Sequence, residues 1–327
     1  MERLQHHWYR LSPLHALLYP ISLIFRVLSA LRRFLYRSGV FVSPKFHIPI
    51  VIIGNISVGG TGKTPLTLWL AQQLIAEGWH PGIISRGYRK SKSKNVLPHG
   101  VNVEDASDDV GDEPLLMAQR MLCPVWIGRD RPAVASALLL AHPECDIILS
   151  DDGLQHYRLH RDAEIVVIDG ARRFGNGLLL PAGPLREPVS RLQEVDAIVV
   201  NGGMVQGNEF AMNLQGTRFH NLLNPERVVS ANELMGLKLH AIAGIGHPRR
   251  FFDHLQQLGL QCTAHAFSDH HDFISADLAF EDADAILMTE KDAVKCTPFA
   301  TEKHWVLRVD AQVDPTLAQL IIKKVTR

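Results

Sequence analysis

A glycine-rich segment between an apolar run and a helical pattern constrains this chain more than any other feature. The run Pro49–Ile53 ends at Gly54 and suits a buried parallel strand. The segment Ser57–Thr64 follows, and an apolar helical pattern begins after Pro65. A strand, a glycine loop ending in Gly-Lys-Thr and a helix form the context that a phosphate-binding P-loop requires.

The residue types of this segment suit phosphate binding. Glycines let backbone N–H groups approach phosphate oxygens, and the helix start adds unpaired donors and a positive dipole end. Lys63 can reach the β- and γ-phosphates, and the Thr64 hydroxyl can ligate Mg²⁺. Because Ser57 replaces the first glycine of the general pattern, a turn that binds nothing stays the alternative. The predicted binding residues are Ser57, Val58, Gly59, Gly60, Thr61, Gly62, Lys63 and Thr64, with ATP and Mg²⁺ as cofactors.

Composition excludes several classes of protein. The length of 327 residues predicts about two domains. The chain is 46% hydrophobic and formally neutral, so it is neither disordered nor a general nucleic-acid binder. Its four cysteines form no CxxC pair and indicate ordinary thiols in a reducing compartment, not a disulfide framework or a zinc site.

The N-terminal 40 residues predict a basic amphipathic helix. The uncharged stretch Leu11–Phe25 is shorter than the roughly 20 residues of a spanning helix, and Pro13 and Pro20 interrupt it. After Pro20 a polar stripe faces apolar residues, which suits the surface of an anionic membrane. A helix packed on the protein's own core and a signal peptide are the alternatives. The stripe contains Ser22, Arg26, Ser29, Arg33 and Arg37.

Polar segments follow the next predicted strands. Arg86-Gly87-Tyr88-Arg89 ends one strand, and Gly128-Arg129-Asp130-Arg131 ends another. Ligands bind at the carboxyl ends of strands in open α/β sheets, so these arginines are candidates to face phosphate. Asp112 and Glu113 begin an apolar helix, where acids that simply favour the helix dipole are the alternative to a functional role.

An acidic pair follows a buried strand at 146–149. The sequence there is Ser150-Asp151-Asp152-Gly153, and an acid at a strand end downstream of a P-loop is the Walker B arrangement that holds Mg²⁺. A plain polar loop is the alternative. Later, Pro181–Pro188 carries prolines that favour a rigid extended loop. Its Arg186 and Glu187 are candidates for phosphate and for metal or substrate contact.

The C-terminal third predicts a second, smaller α/β unit without its own P-loop. Irregular signals over 202–233 indicate a connection, and strands are predicted at 238–245, 285–289 and 305–309. The cluster Asp269-His270-His271-Asp272 is either a surface loop or a metal site. The predicted boundaries are 1–40 for the helix, 41–205 for the P-loop core, 206–236 for the connection and 237–327 for the second domain.

Taken in order, these motifs resemble the tetraacyldisaccharide 4'-kinase family of lipid A biosynthesis. The resemblance runs from about residue 10 to 310, and the ordered set is far more specific than any one motif. It comprises the basic helix, Ser-Val-Gly-Gly-Thr-Gly-Lys-Thr-Pro, Ser-Arg-Gly-Tyr, Gly-Asp-Glu-Pro, Asp-Asp-Gly-Leu-Gln-His, Pro-Ala-Gly-Pro-Leu-Arg-Glu-Pro, Asp-His-His-x-Phe and Thr-Glu-Lys-Asp.

The resemblance implies a fold and an activity. The fold is an α/β P-loop NTPase-like parallel-sheet domain plus a second, smaller α/β/α domain, with a membrane-associated N-terminal helix. The active site lies between the domains. The activity is ATP-dependent phosphorylation of the 4'-hydroxyl of tetraacyldisaccharide 1-phosphate to lipid IVA, at the cytoplasmic face of a Gram-negative inner membrane. The implied partners are this lipid precursor and the anionic membrane surface, with no nucleic acid and no obligate protein partner evident.

The resemblance also implies roles for residues. Asp112 would be the catalytic base, paired with His270 or, less directly by motif, its neighbour His271. Lys63 and Thr64 would serve ATP and Mg²⁺. Asp151 and Asp152 would hold the metal, and Arg131, Arg186 and Glu187 fall in active-site motifs, Glu187 as a candidate metal ligand.

Two other classes of P-loop protein compete with this interpretation. Partitioning or insertion ATPases carry a signature lysine where this chain has Val58. Regulatory GTPases carry an Asn-Lys-x-Asp motif, which Thr289-Glu290-Lys291-Asp292 does not match. Both would hydrolyse nucleotide without a lipid acceptor.

Overall fold

A computed structural model describes residues 8–9, 13–87, 97–121 and 123–326 of the chain. Within them the chain forms two sheets with helices packed against them, so the predicted α/β class is confirmed. The predicted basic loop at 90–95 and the residues Tyr88 and Arg89 lie outside the described residues.

The first sheet carries the P-loop. Among the described residues it has nine strands in the order β15-β8-β7-β6-β1-β5-β2-β4-β3, parallel except for the two edge strands β15 and β3. In chain order they are β1 (Ile50–Gly54), β2 (Pro81–Ser85), β3 (His99–Gly100), β4 (Val125–Ile127), β5 (Ile147–Asp151), β6 (Ala163–Asp169), β7 (Ala197–Asn201), β8 (Phe210–Gln215) and β15 (Asp310–Val313). The central strands are buried on both faces, as expected of a parallel sheet covered by helices.

The second sheet has six strands within the described residues, in the order β10-β9-β14-β13-β11-β12. Four of them are parallel, while β9 and β10 add an antiparallel edge. They are β9 (Arg218–Asn221), β10 (Val228–Ser230), β11 (Leu239–Ala243), β12 (Cys262–Ala266), β13 (Ala285–Thr289) and β14 (His304–Leu307).

Helices cover both sheets. They are α1 (Pro13–Arg37), α2 (Lys63–Ala76), α3 (Ser107–Val110), α4 (Asp112–Arg120), α5 (Arg131–Ala141), α6 (Ala231–Leu234), α7 (Pro248–Gln257), α8 (Glu290–Cys296) and α9 (Thr316–Val325). The predicted helical pattern Leu66, Leu70 and Leu74 lies on α2 and is fully buried in the core beside β1. Helix α1 begins at Pro13 and continues through Pro20, which the sequence had suggested as an interruption.

The boundaries of the two units differ from the predicted ones. The chain leaves the first sheet after β8, at residues 216–217, and returns to it at 308–309 to form β15 and α9. The predicted connection 206–236 therefore contains strands of both sheets, and residues 310–326 belong with the P-loop sheet. This return to the first sheet is hard to predict from the sequence, because β15 is a four-residue edge strand that pairs with a distant segment of the chain.

Candidate active site

The P-loop joins β1 to α2 and has little conformational freedom. Gly62 has a φ of 95°, and a Cβ at this position would collide with the side chain of Asn201, so only glycine fits. The backbone N–H of Val58 donates to the carbonyl of Pro184 at 2.8 Å. The proline-rich loop predicted from the sequence thus braces the first half of the P-loop.

Two side chains that the sequence did not single out bind carbonyl groups of the P-loop. Nδ2 of Asn201 donates to the carbonyl of Thr61 at 3.0 Å, and Nη2 of Arg172 donates to that of Gly60 at 2.6 Å. Both donors follow neighbouring strands, β7 and β6, and this position at a strand end is the signal that could have found them. Carbonyls held by these side chains turn away, which leaves the loop N–H groups to face an anion.

The acidic pair meets the P-loop lysine at the end of β5. Strand β5 lies beside β1, with Asp151 opposite Ile53. Oδ1 of Asp152 lies 3.4 Å from Nζ of Lys63, and the Thr67 hydroxyl donates to Oδ1 of Asp151 at 3.2 Å. The structure therefore brings together the P-loop and acidic residues predicted to act on one nucleotide.

The two acids differ in their partners. Burial alone would raise the pKa of Asp152, but Lys63 and Arg186 lower it below its ordinary value. Burial and the charge of Glu113 raise the pKa of Asp151. Oδ1 of Asp152 faces Lys63 and Arg186, whereas Oδ2 of Asp151 is buried and has no hydrogen-bond donor among the described residues. Oδ2 of Asp151 is therefore the oxygen that a hard cation would satisfy.

The donor set fits Mg²⁺ better than a transition metal. No group of three or more His, Cys, Asp or Glu side chains suited to a metal occurs within the described ranges. Mg²⁺ is usually bound by one or two carboxylates together with phosphate oxygens and water. Asp151, Asp152 and the hydroxyl of Thr64 at the start of α2 are the candidate donors for such a shell.

The two candidate residues of the proline-rich loop, Arg186 and Glu187, have different surroundings. Nη1 of Arg186 lies 3.7 Å from Oδ1 of Asp152, so Arg186 joins Lys63 at the acidic strand end. Glu187 is buried, and its carboxylate accepts hydrogen bonds from the Tyr157 hydroxyl at 2.7 Å and from Nε2 of Gln155 at 2.9 Å. Both oxygens of Glu187 are thus occupied by protein donors.

Arg131 lies beneath the site. Its side chain is only 1% exposed, and Nη2 donates to the backbone carbonyl of Asp151 at 2.8 Å. Burial lowers the pKa of Arg131 to about 10. Nε and Nη1 of Arg131 are buried and have no hydrogen-bond acceptor among the described residues, so the role of Arg131 at the phosphate stays a prediction. Burial and the charges of Arg131 and Arg86 lower the pKa of His156 to about 4.

A carboxylate–imidazole pair joins the two units. Nδ1 of His270, in the loop after β12, lies 3.1 Å from Oδ2 of Asp112, the first residue of α4. This hydrogen bond raises the pKa of His270. Burial would raise the pKa of Asp112, but the bond to His270 and the charge of Lys295 lower it. His271 instead bonds Asp277 at 2.9 Å, so the structure puts His270 and not its neighbour against Asp112.

The second unit lies against the P-loop as well. A Cβ added to Gly246 would stand 3.4 Å from the backbone nitrogen of Gly60 and 3.2 Å from Oδ2 of Asp269. Nζ of Lys291 lies 3.1 Å from Oε1 of Glu113 and 3.4 Å from Oδ1 of Asp269. The loop that carries His270 therefore lies near both the P-loop and the start of α4.

Helix α1 turns part of its polar stripe toward the protein and an apolar face outward. The Ser22 hydroxyl donates to the carbonyl of Leu179 at 2.8 Å, and Arg37 pairs with Glu194 at 2.9 Å. The outward face exposes Leu17, Ile21, Leu23, Ile24, Val27, Leu28, Leu31 and Phe34. Among the described residues, His15–Arg37 is the one helix long and apolar enough to cross a membrane, a test that signal sequences also pass.

A parallel α/β sheet with a P-loop, an acidic strand end and a second α/β unit over the loop defines a two-unit P-loop nucleotide-binding protein. The sequence model of the LpxK family, described as tetraacyldisaccharide-1-P 4'-kinase, matches residues 14–326. The chain belongs to this family, which confirms the resemblance inferred from the motifs.

Individual relatives agree with the family assignment. A tetraacyldisaccharide 4'-kinase of Methylobacillus flagellatus is 50% identical over 324 residues, which cover 99% of this chain and 96% of the relative. One of Azoarcus is 48% identical, covering 97% of this chain and 94% of the relative. The crystal structure of LpxK from Aquifex aeolicus in complex with ATP superposes with a TM-score of 0.79 at 29% identity, covering 95% of this chain and 99% of that one.

Proposed function

We propose that the chain is an ATP-dependent kinase that phosphorylates the 4'-hydroxyl of the tetraacyldisaccharide 1-phosphate precursor of lipid A. Family membership and the named relatives support the acceptor, and the ATP complex of the Aquifex aeolicus protein supports the nucleotide. The observation that carries the proposal is the hydrogen bond between Asp112 and His270. A sugar hydroxyl has a very high pKa, so its attack on phosphorus needs a base at such a position.

The first unit binds the nucleotide in this proposal. Residues 57–64 cradle the phosphates, and Lys63 and Arg186 neutralise their charge. Thr64, Asp151 and Asp152 would hold Mg²⁺, which would neutralise the charge that develops on the transferred phosphate. We leave Glu187 outside this metal set, because its oxygens already accept two protein hydrogen bonds.

The two units then act on one hydroxyl group. The 4'-oxygen forms a bond to the γ-phosphorus, the bond between that phosphorus and the β–γ bridging oxygen breaks, and ADP leaves with the electron pair. The hydroxyl proton passes to the carboxylate of Asp112. His270 orients that carboxylate through Nδ1, and the same hydrogen bond raises the pKa of His270. The Gly246 loop lies beside Gly60 at the phosphate end of the site.

The apolar face of α1 is the proposed contact with the membrane that holds the acceptor. Large apolar side chains are exposed along this helix from Leu17 to Phe34, beside Arg26 and Arg32. A helix with this pattern buries its apolar face in a bilayer while its arginines meet anionic headgroups. The proposed location is the cytoplasmic face of the bacterial inner membrane, with the lipid precursor reaching the site along the bilayer.

The acceptor assay tests the proposal. Radiolabelled γ-phosphate from ATP should appear in the tetraacyldisaccharide 1-phosphate, and Asp112→Asn should lower this transfer by about 10²–10⁴-fold while ATP binding persists. Asp109→Asn, an exposed acid on the neighbouring helix α3, is the matched control. Label that appears only as free phosphate, whatever lipid is present, would instead favour a partitioning ATPase or a regulatory GTPase.

Vesicle binding tests the membrane surface separately. Replacing Leu28 and Leu31 together with serine should release the protein from anionic vesicles, because each leucine side chain contributes about 1.5–3 kcal/mol when buried. Leu223→Ser changes an equally exposed leucine of the second unit and should leave vesicle binding unchanged. Unaltered binding of the double variant would show that the membrane contact lies elsewhere.

A further inference from the structure

A buried lysine of the second unit lies behind Asp112. Nζ of Lys295, on helix α8, is 3.8 Å from Oδ2 of Asp112, and the lysine side chain is only 7% exposed. Water is largely excluded at this depth, so a charged lysine needs carboxylate partners. Asp112 is one of them, although the two residues are 183 positions apart in the sequence and belong to different units.

The other partner anchors the lysine. Nζ of Lys295 lies 3.1 Å from Oδ1 of Asp292, which is fully buried. The second oxygen of Asp292 accepts hydrogen bonds from the Thr289 hydroxyl at 2.6 Å and from the N–H of Gly244 at 3.1 Å. Asp292 is therefore fixed by the backbone of its own unit, and it fixes the ammonium group on the side that faces Asp112.

The remaining surroundings of Lys295 agree with a charge held in place. Its Nζ lies 5.1 Å from the centre of the Phe273 ring, a distance suited to a cation–π contact. Lys291, one turn earlier on α8, lies instead against Glu113, Asp269 and Nε2 of His270. The two lysines thus serve different acids at the start of α4, and Lys295 is the one directed to Asp112.

We propose that Lys295 is a positioning residue for the acceptor base: held by Asp292, it keeps the Asp112 carboxylate charged and aimed at the acceptor hydroxyl. This inference rests on the proposed function, in which Asp112 takes the proton. Among the described residues, the charged groups that act on Asp112 are His270, Lys291 and Lys295 of the second unit. These lysines in turn pair with Glu113, Asp269 and Asp292. Asp112 then has the cations that orient it only while the two units are in contact.

Steady-state transfer measured against pH tests the role of Lys295. Lys295→Met should lower kcat about tenfold with an unchanged KM for ATP, since the carboxylate loses a fixed orientation. Loss of a nearby cation favours the protonated acid, so the acid limb of kcat/KM should move up by about one pH unit. Lys295→Arg, which keeps the charge, should restore most of both values. Lys303→Met, at a lysine that bonds Ala283 in the same unit, is the control.

Other outcomes would overturn the inference. A lower melting temperature with wild-type kcat and pH profile would make Lys295 a purely structural residue. An equal loss of kcat in Lys295→Met and Lys295→Arg would show that the positive charge of Lys295 does not position the base. Lys295→Gln, which keeps a hydrogen-bond donor, replaces the methionine variant if that does not fold. Full activity of Asp112→Asn would overturn the base assignment itself, whereas a failure confined to the Lys295 variants leaves that assignment intact.

Discussion

The proposed nucleotide end and the proposed acceptor end of the site are built in different ways. At the nucleotide end, the P-loop and Asp151–Asp152 follow adjacent parallel strands of one sheet. At the acceptor end, Asp112 from the first unit meets His270 and Lys295 from the second across a boundary between two sheets. The first arrangement is set by strand pairing, while the second exists only while two units stay in contact.

This difference predicts how each end responds to change. Strand ends in a buried sheet cannot shift without disrupting the core, so the nucleotide end is preorganised. Side chains across a boundary can separate by a small rotation, and the chain crosses between the two sheets at 216–217 and 308–309. Changes at the nucleotide end should therefore affect ATP binding, whereas changes at the boundary should affect kcat.

The largest expected effect is at the nucleotide end. Lys63→Met removes the cation that lies 3.4 Å from Asp152 and reaches the phosphates. We expect kcat to fall about 10³-fold and ATP binding to weaken, as when one preorganised charge is removed from a transition state. Isothermal calorimetry measures ATP binding, and the transfer assay measures kcat. Lys323→Met, at an exposed residue of α9, is the control. Normal ATP affinity in Lys63→Met would contradict the proposal that this end of the site binds the nucleotide.

The next largest effect concerns the crossing between the units. Arg120, at the end of α4, donates to Glu290 at 3.3 Å and to the carbonyl of Val309 at 2.9 Å, and also pairs with Asp310. Arg120 and Glu290 are both largely buried, so removing one partner leaves an uncompensated charge. Arg120→Gln should lower the free energy of unfolding by about 3 kcal/mol, measured by urea denaturation.

A nearby exposed pair provides the comparison for Arg120. Arg308 lies 3.7 Å from the same Asp310, but both side chains are more than half exposed. Arg308→Gln should change the free energy of unfolding by less than about 0.5 kcal/mol. Equal losses of stability in the two variants would show that burial at the boundary does not distinguish the two arginines.

His270→Asn should affect the acceptor end alone. The hydrogen bond from His270 lowers the pKa of Asp112, so its removal raises that pKa and moves the acid limb of kcat/KM to higher pH. We expect kcat to fall by about tenfold to a hundredfold, with ATP affinity unchanged. The pKa of His270 is raised by the same bond, so stabilisation from the pair is lost as pH rises through that pKa. A parallel fall in ATP affinity would contradict the separation of the two ends.

The same contrast explains what could be predicted from the sequence. Glycines, a lysine and acids placed directly after apolar runs locate the nucleotide end, because strand pairing aligns such ends. Asn201 and Arg172 have no motif, and Lys295 reaches Asp112 only because two separate units are in contact. Edge strand β15 was not predicted, because its partner β8 is about 100 residues away in the chain. The residues of the acceptor end were therefore predicted only from the family resemblance, and their geometry is known only from the structure.

The smallest expected effect separates two adjacent histidines. His271 follows His270 directly, but its Nε2 bonds Asp277 at 2.9 Å within the second unit, and it packs against Phe267 and Phe273. Because no phosphate or acceptor group is assigned to that pair, His271→Asn should change kcat less than about threefold and cost about 1 kcal/mol of stability through the lost hydrogen bond. The transfer assay and a thermal melt of the two asparagine variants test this side by side. A kcat loss in His271→Asn as large as in His270→Asn would mean that the loop acts as a unit and that the contact with Asp112 is not what orients the base.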